Sequence, residues 1–273
     1  MKVSAYIPAY NAEKTIEPCI KSLLNQSIKF DDIIVIDDAS ADNTKAIAES
    51  LNVRVISNKR NSGLSYSRNI GIAHCRSELI AGIDSDVSLQ RDWLDNLVKE
   101  FKNRSIVGVG GKLIETDKSL AGYWKKEHLR QDWGENEIID PNYLSGSNTI
   151  FKKKILKRLK FNKKYRKAFD DVDFCQRVMK LGNIKYCPKA KAFHLSNDSL
   201  LSLLRKKWNY GFYNRAEPKQ ILNILKNFLT NIKTSISFSS LDWKQPKLLI
   251  IDFLLPLGRL YLDLEYYLKR GYF

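Results

Sequence analysis

Short apolar runs alternate with helix-like segments in the first third of the chain, and this alternation limits the possible folds more than any other feature. Strand-like runs occupy residues 3–8, 33–36, 53–56 and 79–83. Between the first two runs, apolar side chains recur with the period of one buried helical face. These side chains are Ile16, Ile20, Leu23 and Leu24. The pattern predicts an α/β fold with a mostly parallel central sheet flanked by helices on both faces.

Polar segments follow three of these runs, at residues 8–11, 37–44 and 84–86. Open α/β sheets bind their ligands at the carboxyl ends of the strands, so we expect the three segments to face one crevice. The last segment is Asp84-Ser85-Asp86, which suits a divalent cation that carries a diphosphate. A lone Asp-x-Asp is weak evidence, because two nearby acids are usually solvated loop residues or helix caps. Its position after a buried strand favours an enzyme that uses a sugar nucleotide.

Five motifs occur in the order typical of a known enzyme family. They lie at residues 7–11, 35–44, 61–69, 145–148 and 170–173. The first three resemble the nucleotide-binding half of the inverting family 2 glycosyltransferases, which have the GT-A fold, and the resemblance continues to about residue 211. Any one motif would be weak, whereas five in the right order are strong. The resemblance implies the GT-A fold for the sheet, and the last fifty residues, which lie beyond the shared motifs, are predicted from their own apolar pattern to form a helical C-terminal appendage.

The resemblance also implies a set of residues on the nucleotide side. They are Pro8, Tyr10, Asp38, Arg68, Asp84 and Ser85. In the family, the acid at the position of Asp38 recognises the base edge, and the residue at Tyr10 packs on the base. Arg68 matches a position that reaches the diphosphate, for which a planar cation with several donors is suited.

Structural alternatives remain open for these residues. Asp37 and Asp38 precede a helical segment that either could cap, and Ser40 and Thr44 have side chains suited to the same task. We expect capping by Ser40 or Thr44 and base binding by Asp38. Arg68 could instead be a solvated charge on a helix face.

A divalent metal, Mn²⁺ or Mg²⁺, is the implied cofactor. The resemblance assigns Asp86 directly to the metal, which prefers hard oxygen ligands. His194 matches a family histidine that completes the metal site or touches the diphosphate, and a satisfied buried histidine is an equal alternative. The metal would neutralise the charge that builds on the departing nucleoside diphosphate.

Acids at residues 170–173 begin a predicted helix. Asp171 matches the family's catalytic base, which takes the proton from the acceptor hydroxyl. The residues implied to contact the acceptor are Asp170, Ser147 and Asn148. Acids at a helix start are most often caps, and Asp173 is also spaced for an i, i+4 ion pair with Arg177.

One base and one metal-assisted leaving group describe a single in-line displacement with inversion. Glycoside hydrolysis would need a general acid beside the base, and it would not explain the nucleotide-loop motifs. We expect transfer from a nucleotide sugar, with UDP as the nucleotide, to a hydroxyl of a glycan or lipid-linked acceptor in cell-surface glycan synthesis. The alternative within the class is a polyprenyl-phosphate sugar transferase, whose acceptor atom is a phosphate oxygen.

The chain is strongly basic, with 46 Lys or Arg against 30 Asp or Glu and a formal net charge of +16. Residues 152–167 contain ten of these basic side chains and no acid. Such a patch suits an anionic membrane surface or a diphosphate-linked lipid, although part of it is expected to be a solvated face. The rival from another class is a non-catalytic basic module that binds membrane or nucleic acid. We expect no nucleic acid partner, because no binding motif is found and the acidic crevice would repel a phosphate backbone.

The length fits one catalytic domain with an appendage. The predicted parts are a GT-A catalytic domain at 1–215, with a nucleotide-binding half at 1–110 and an acceptor-binding half at 111–215, and a helical region at 216–273 that is a candidate for membrane association. The apolar stretch in that last region is too short and too interrupted for a transmembrane span and instead suggests an interfacial helix. A charged insert at 115–142, with Trp124 and Trp133, is expected on the acceptor side.

The four cysteines are predicted to be reduced core residues, because none has the Cys-x-x-Cys spacing. They are Cys19, Cys75, Cys175 and Cys187. We expect no cleavable secretory signal, because Lys2 is followed directly by the first predicted strand. We therefore expect a cytoplasmic protein, peripheral on the inner face of the cell membrane. The sequence leaves the oligomeric state open.

Overall fold

The structure is a computed structural model of the chain. It describes residues 1–128, 132–165, 169–195, 199, 201–205, 229, 254, 257–258 and 260–264.

Strands and helices alternate through the described residues. The strands are β1 (Val3–Ala9), β2 (Asp32–Asp37), β3 (Arg54–Ser57), β4 (Leu79–Ile83), β5 (Val87–Leu89), β6 (Ile106–Glu115), β7 (Ile138–Ile139), β8 (Asn148–Lys152) and β9 (Asn183–His194). The α-helices are α1 (Ile16–Leu24), α2 (Thr44–Ser50), α3 (Leu64–His74), α4 (Trp93–Val98), α5 (Leu120–His128), α6 (Lys153–Leu159) and α7 (Asp170–Val178). A 3₁₀ turn at Lys99–Lys102 continues α4.

The described strands form one sheet in the order β3-β2-β1-β4-β8-β6-β9-β5, with β7 paired to β9. Strands β3, β2, β1 and β4 pair in parallel. Strand β8 is antiparallel to β4 and β6, and β9 runs parallel to β6. Among the described strands, β5, β7 and β8 run antiparallel to the strands that they pair with, and the other strands all run in the same direction. The mostly parallel sheet predicted from the alternating pattern is confirmed.

The direction in which the chain adds strands reverses at β1. From β1 the chain moves outward to β2 and β3, and it then returns to the other side of β1 to form β4. Loops that leave β1 and β4 therefore border a crevice at the carboxyl ends of these strands, where open α/β sheets bind ligands. The Asp84-Ser85-Asp86 segment follows β4 at this edge, as predicted.

Helices cover both faces of the sheet. On one face, α1 buries Ile16, Cys19, Ile20 and Leu23. On the other face, α3, α6 and α7 contribute Ile72, Ile155 and Phe174. The periodicity predicts that Leu24 is buried with its neighbours on α1, but it is 42% exposed. At 3.6 residues per turn, position 24 lies about 80° around the helix from Ile16, so Leu24 leaves the buried face.

The ring of Tyr6 sets how closely α3 approaches the sheet. A Cβ atom on Gly71 of α3 would lie 2.6 Å from the Cβ of Tyr6, and one on Gly82 of β4 would lie 2.6 Å from the Tyr6 hydroxyl oxygen. Only glycine leaves room for the ring at both positions. This close approach holds Arg68, which lies one turn before Gly71 on α3, against the sheet.

The chain forms two compact units, residues 1–116 with 130–196 and residues 117–129 with 197–273. The first contains the whole sheet. In the second, Trp124 and Leu203 are buried, and the Ser119 hydroxyl accepts a hydrogen bond from the Gly122 N–H at the start of α5.

The predicted boundary at residue 215 stays a prediction, because residues 206–228 lie outside the described part of the chain. Most of the predicted 216–273 region also lies outside it, and those residues of the region that are described are helical. Within the described ranges, no helix combines the length and the apolar character needed to cross a bilayer. All four cysteines are buried and unpaired, as predicted.

Candidate active site

The loops after β1 and β2 are joined to each other by hydrogen bonds. The Asn11 N–H donates to Ser40 Oγ over 3.0 Å, and the Ala12 N–H donates to Thr44 Oγ1 over 2.7 Å. The expected capping by Ser40 or Thr44 is therefore wrong, because both hydroxyls serve the neighbouring loop. Asp42 Oδ1 instead accepts the Thr44 N–H at the start of α2, over 3.0 Å. One wall of the crevice is thus a single cross-linked unit.

Asp38 organises the loop that leads into α3. Its Oδ1 accepts from Asn58 Nδ2 at 2.7 Å and from the Ser62 N–H at 2.9 Å, and its Oδ2 accepts from the Gly63 N–H at 2.8 Å. A carboxylate offers about four acceptor positions, so capacity remains for one further donor. Capping of α2 by Asp38 is not seen, since the residue before α2 is Asn43. The side chain of Asp37 accepts from the Ser40 N–H instead.

Two other residues predicted on the nucleotide side differ in exposure. Tyr10 is 52% exposed at the end of β1, where its ring is open to a partner. Pro8 lies within β1 and is buried, opposite Ile36 of β2. The structure therefore leaves Tyr10 available for stacking and makes Pro8 a part of the sheet.

Arg68 is buried at the floor of the crevice, and the alternative of a solvated charge is wrong. Its Nη2 donates to Asp84 Oδ1 at 2.9 Å, and its Nη1 lies 3.4 Å from Asp170 Oδ2. The Phe161 ring lies under the guanidinium at 5.3 Å. Arg68 thus links an acid from the β4 loop with an acid from the start of α7.

The charges around Arg68 are strongly coupled. Burial alone would lower the pKa of Arg68, but the negative charges of Asp170 and Asp84 raise this pKa above its ordinary value. Burial raises the pKa of the Asp170 carboxyl, against the effect of Arg68 and with the help of Asp171 and Asp84. Among the described residues, the Nε and Nη1 of Arg68 and the Oδ2 of Asp170 have no hydrogen-bond partner. Nη1 and Oδ2 still form an ion pair at 3.4 Å, so Nε is the one of these three atoms with neither kind of contact, and leaving such a buried atom unpaired costs about 1–3 kcal/mol.

The Asp84-Ser85-Asp86 segment makes a tight turn between β4 and β5. The Val87 N–H donates to the Asp84 carbonyl over 3.1 Å, and the Asp84 N–H donates to the Ser147 carbonyl over 3.1 Å. The side chains of Asp84 and Asp86 are 28% and 32% exposed. Burial raises the pKa of Asp84, Arg68 opposes the rise, and the charge of Asp86 adds to it. Two carboxylates therefore share an opening with excess negative charge.

His194 lies between two acids at the end of β9. Its Nε2 is 3.2 Å from Asp86 Oδ2, and its Nδ1 is 3.3 Å from Glu115 Oε2. Glu115 ends β6, and its side chain is 14% exposed. The Leu195 N–H also donates to the Asp86 carbonyl, over 2.7 Å. These contacts fix the imidazole beside the carboxylate predicted to bind the metal.

Asp171 lies in the first turn of α7 and is partly exposed. Its Oδ2 accepts from the Gly146 N–H over 3.2 Å, and its Oδ1 accepts from the Val172 N–H over 2.8 Å. Asp173 forms the predicted ion pair with Arg177, at 2.7 Å, which confirms the structural alternative for that acid. Asp171 is thus oriented by the loop before β8, with its carboxylate at the surface of the crevice.

The other residues expected to contact an acceptor are buried. Asp170 is 2% exposed and faces Arg68, and Asn148 is 0% exposed. The Asn148 side-chain oxygen accepts from the Gly111 N–H over 2.7 Å, so this amide joins β8 to β6. Ser147 is 7% exposed, with its hydroxyl 2.8 Å from that of Ser145. In this structure, Asp170 and Asn148 support the site from below and offer no surface to an acceptor.

A match to a protein-family model identifies the family of this chain. The model of glycosyl transferase family 2 matches residues 4–184, which is more than half of the chain. The chain belongs to glycosyl transferase family 2. An uncharacterized glycosyltransferase of Haemophilus influenzae is 31% identical over 206 residues, which cover 69% of this chain and 63% of that protein. The chain thus spans less than two thirds of that relative.

Solved structures share the fold of this family 2 chain. A mannosyltransferase from Pyrobaculum calidifontis, in complex with GDP-Man and Mn²⁺, matches with a TM-score of 0.61 at 16% identity, over 99% of this chain and 76% of that chain. Glucosyl-3-phosphoglycerate synthase from Mycobacterium tuberculosis, in complex with Mn²⁺, UDP-Glc and phosphoglyceric acid, matches with a TM-score of 0.56 at 18% identity, over 76% of this chain and 78% of that chain. At these identities the likeness shows the fold alone, which is the GT-A fold.

The donor atoms at the crevice fit a divalent cation in part. Asp84 and Asp86 present hard oxygen ligands, with Arg68 in contact with Asp84 and His194 in contact with Asp86. Asp86 and His194 form a contacting pair, so a bound diphosphate and water would have to complete the ligand set. Elsewhere in the described residues, Glu100, Glu137 and Cys187 bring their ligand atoms within 4.8 Å of one another. The Lys185 ammonium already neutralises the two carboxylates of that group, at 2.6 and 2.8 Å.

Three residues that support the site of this family 2 chain were not predicted from the sequence. Glu115 holds His194, Asn58 holds Asp38, and Gly146 holds Asp171. Gly146 lies in the motif at residues 145–148, but the hydrogen bond from its N–H to Asp171 was not predicted. Glu115 had one available signal, because it is an acid at the end of a long apolar strand.

Proposed function

We propose that the chain is a metal-dependent, inverting glycosyltransferase that moves a sugar from a nucleotide sugar, with UDP as the nucleotide, to a hydroxyl of a glycan or lipid-linked acceptor. The single observation that carries this proposal is the double contact of Arg68. One cation contacts Asp84 of the predicted donor loop and Asp170, which adjoins the predicted base. The donor residues and the base therefore border the same crevice.

The nucleotide would bind against the cross-linked loops of β1 and β2. Tyr10 offers an exposed ring for stacking, and the Asp38 carboxylate has capacity for a ring N–H. The UDP-Glc complex of the synthase from M. tuberculosis supports a uridine donor, whereas the GDP-Man complex of the P. calidifontis enzyme shows that the fold also accepts a guanine base. The identity of the base is therefore the first quantity to measure.

A divalent metal, Mn²⁺ or Mg²⁺, would be held by Asp86, with His194 and Asp84 beside it. Both similar structures contain Mn²⁺. When bound, the ion stabilises negative charge on the leaving diphosphate. Glu115 keeps the imidazole in place, and Arg68 balances the charge of Asp84 when no cation is present.

Asp171 would act as the general base. Its carboxylate takes the proton of the acceptor hydroxyl while that oxygen forms a bond to the anomeric carbon. The bond from this carbon to the diphosphate oxygen breaks, and the electron pair leaves with the nucleoside diphosphate. A single displacement inverts the anomeric configuration. The hydrogen bond from Gly146 orients Asp171 for this step.

An aromatic pair near Asp171 is suited to hold a sugar acceptor. The rings of Trp133 and Tyr143 meet edge to face with centroids 5.5 Å apart, and both are partly exposed. Burial raises the pKa of Tyr143 to about 12, and the negative charge of Asp171 adds to this rise. Aromatic faces pack well on the apolar C–H faces of a sugar ring. The expectation that Trp133 lies on the acceptor side becomes part of the proposal.

The proposal includes a peripheral position on the inner face of the cell membrane, with synthesis of a cell-surface glycan. The basic residues 152–165 that are described support an anionic surface as a partner. Residues 166 and 167 of the same basic segment lie outside the described part of the chain.

The first test is a thermal-shift panel of UDP, GDP, CDP and their sugar conjugates, each with Mn²⁺ and with a chelator. A metal-dependent rise in melting temperature for one nucleotide is expected, because a ligand stabilises the state that it binds. If no nucleotide raises the melting temperature, the non-catalytic basic module becomes the better explanation.

The second test compares Asp171→Asn with Asp173→Asn. Asp171→Asn should keep nucleotide affinity and lower transfer by about 10²–10⁴-fold, the usual contribution of a general base. Asp173→Asn removes a carboxylate from the same helical turn and should leave transfer nearly unchanged. Full transfer by Asp171→Asn would remove Asp171 as the base. It would instead favour an acceptor such as a polyprenyl phosphate, which has no proton to lose.

A further inference from the structure

Two cavities lie side by side at the edge of the sheet opposite the candidate active site. The first, of about 420 Å³, is bordered by the starts of β6 and β9, the end of β8 and helix α6. The second, of about 480 Å³, is bordered by the start of β4 and by α6. Lys152 and Lys154 line both cavities, so these residues form a shared wall.

The first cavity is cationic. Four basic side chains line it, and among its described lining residues none carries a carboxylate. The basic residues are Arg104, Lys152, Lys154 and Arg158. Lys152 Nζ donates to the Arg104 carbonyl over 2.9 Å, which leaves two of its three N–H donors for another acceptor. Burial lowers the pKa of Lys152, and the charge of Lys154 lowers it further. The cations of this cavity are therefore crowded, and no carboxylate lines it among the residues that the structure describes.

The second cavity has a largely apolar surface, and basic residues also line it. Met1, Leu79 and Phe101 supply apolar lining, while Lys153 and Lys157 add to the shared lysines. Glu78 also lines it. A cationic cavity next to a largely apolar cavity matches a molecule with an anionic end and a hydrocarbon end.

These cavities are separate from the candidate active site. Val107 of β6 lines the first cavity, while Glu115 at the other end of β6 contacts His194. Eight residues of extended strand separate the two positions, or about 26 Å at 3.3 Å per residue. A nucleoside diphosphate bound near Asp84 and Asp86 would not reach the cationic cavity.

We propose that the paired cavities bind an anionic lipid, with its phosphate among the four cations and its hydrocarbon chain in the neighbouring apolar cavity. This inference deepens the proposed membrane contact by naming the residues and the headgroup chemistry, and it does not depend on the transfer reaction. Each basic side chain near an anionic lipid surface strengthens binding by roughly fivefold, so four together would contribute substantially to the affinity for an anionic headgroup.

The test measures binding of three soluble molecules by calorimetry. Dihexanoyl phosphatidic acid carries both parts of the proposed ligand, glycerol 3-phosphate carries the anion alone, and dihexanoyl phosphatidylcholine carries the same chains with a zwitterionic head. We expect the phosphatidic acid, below its micelle concentration, to bind at least about tenfold more tightly than either of the others. Equal binding of glycerol 3-phosphate would make this a free phosphate site and overturn the proposal, as would equal binding of the phosphatidylcholine.

A charge-matched pair of variants locates the binding. The double variant Lys152→Gln and Arg158→Gln removes two cations from the cavity and should weaken phosphatidic acid binding by about tenfold or more. The control, Lys21→Gln with Lys45→Gln, removes two exposed cations from α1 and α2 and should retain the affinity. An equal loss in both variants would reduce the effect to net charge and refute the site.

Competition separates this proposal from the proposed function. Saturating UDP with Mn²⁺ should leave the affinity for the phosphatidic acid unchanged, because the two ligands would bind at opposite edges of the sheet. Displacement of the lipid by UDP would show that it binds in the donor crevice and would refute the inference. The comparison of the three ligands uses the unaltered chain, so it decides the question even if a variant fails to fold.

Discussion

The substitution Gly146→Ala tests whether Arg68 is fixed at the centre of the site. A Cβ atom on Gly146 would lie 1.9 Å from Arg68 Nη1 and 2.7 Å from its Cζ. Carbon and nitrogen atoms need about 3.4 Å, so Nη1 would have to move by roughly 1.5 Å. The backbone of Gly146 lies outside the left-handed region, so the conflict is steric and involves this one side chain.

The expected loss follows from what holds Arg68. Its side chain is 3% exposed, so solvent does not weaken the hydrogen bond to Asp84 or the ion pair with Asp170. A hydrogen bond to a charged group contributes about 1.5–3 kcal/mol, and breaking a buried ion pair costs about 3–5 kcal/mol. We expect Gly146→Ala to lower the free energy of unfolding by about 3 kcal/mol. For a domain of this size, the melting temperature should fall by about 6–12 °C.

The assay is thermal unfolding followed by circular dichroism, with Gly134→Ala as the control. Gly134 has φ +94° and open space around it, so its substitution meets only backbone strain, of about 1 kcal/mol. Transfer activity should also fall in Gly146→Ala, because the same residue donates to Asp171. If Gly146→Ala costs no more than Gly134→Ala, Arg68 is free to move, and the coupling of Asp84 to Asp170 through it is refuted.

Three other substitutions probe the crevice. Glu115→Gln should weaken Mn²⁺-dependent nucleotide binding by about tenfold, because residues that orient a metal ligand have effects of this size and Glu115 contacts His194. Titration with the nucleotide in Mn²⁺ and in chelator measures the loss of affinity. An equal loss of affinity in Mn²⁺ and in chelator would contradict the prediction. Tyr10→Ala should lower nucleotide affinity by about 1 kcal/mol without changing the melting temperature, since the ring is exposed; calorimetry and thermal unfolding together decide. Asp38→Asn should lower the free energy of unfolding by about 2 kcal/mol, because an amide has a single oxygen to accept the three donors. Urea unfolding measures this loss. An unchanged urea midpoint would show that Asp38 does not organise the loop before α3.

The fold was predictable because its signals are local. Apolar strands such as β1 and β4 are buried along their whole length, so they appear as continuous apolar runs in the sequence. The run at residues 79–83 is enough to place Asp84 and Asp86 just beyond the end of a strand. The alternation of strands with helices was enough to predict a sheet covered on both faces.

The parts of the site that were not predictable depend on contacts between distant residues. Arg68 is buried by partners such as Phe161 and Asp170, which lie far along the chain, so the helix pattern around it indicated a solvated charge equally well. Glu115 reaches His194 only because β6 pairs with β9. Ser40 has the chemistry of a helix cap, and its actual partner, the Asn11 N–H, comes from a neighbouring loop.

The contacts of Arg68 with both Asp84 and Asp170 have a thermodynamic consequence for the binding of the two substrates. The same guanidinium balances Asp84 on one side and Asp170 on the other. A cation bound beside Asp84 together with the nucleotide would compensate part of the charge of Asp84, and the Arg68 guanidinium would then interact more strongly with the acids at the start of α7. By linkage, a donor that changes acceptor affinity by some factor must have its own affinity changed by the same factor. If the proposed function holds, we therefore expect donor and acceptor binding to be energetically coupled, with the donor acting on the start of α7, which carries the proposed base Asp171.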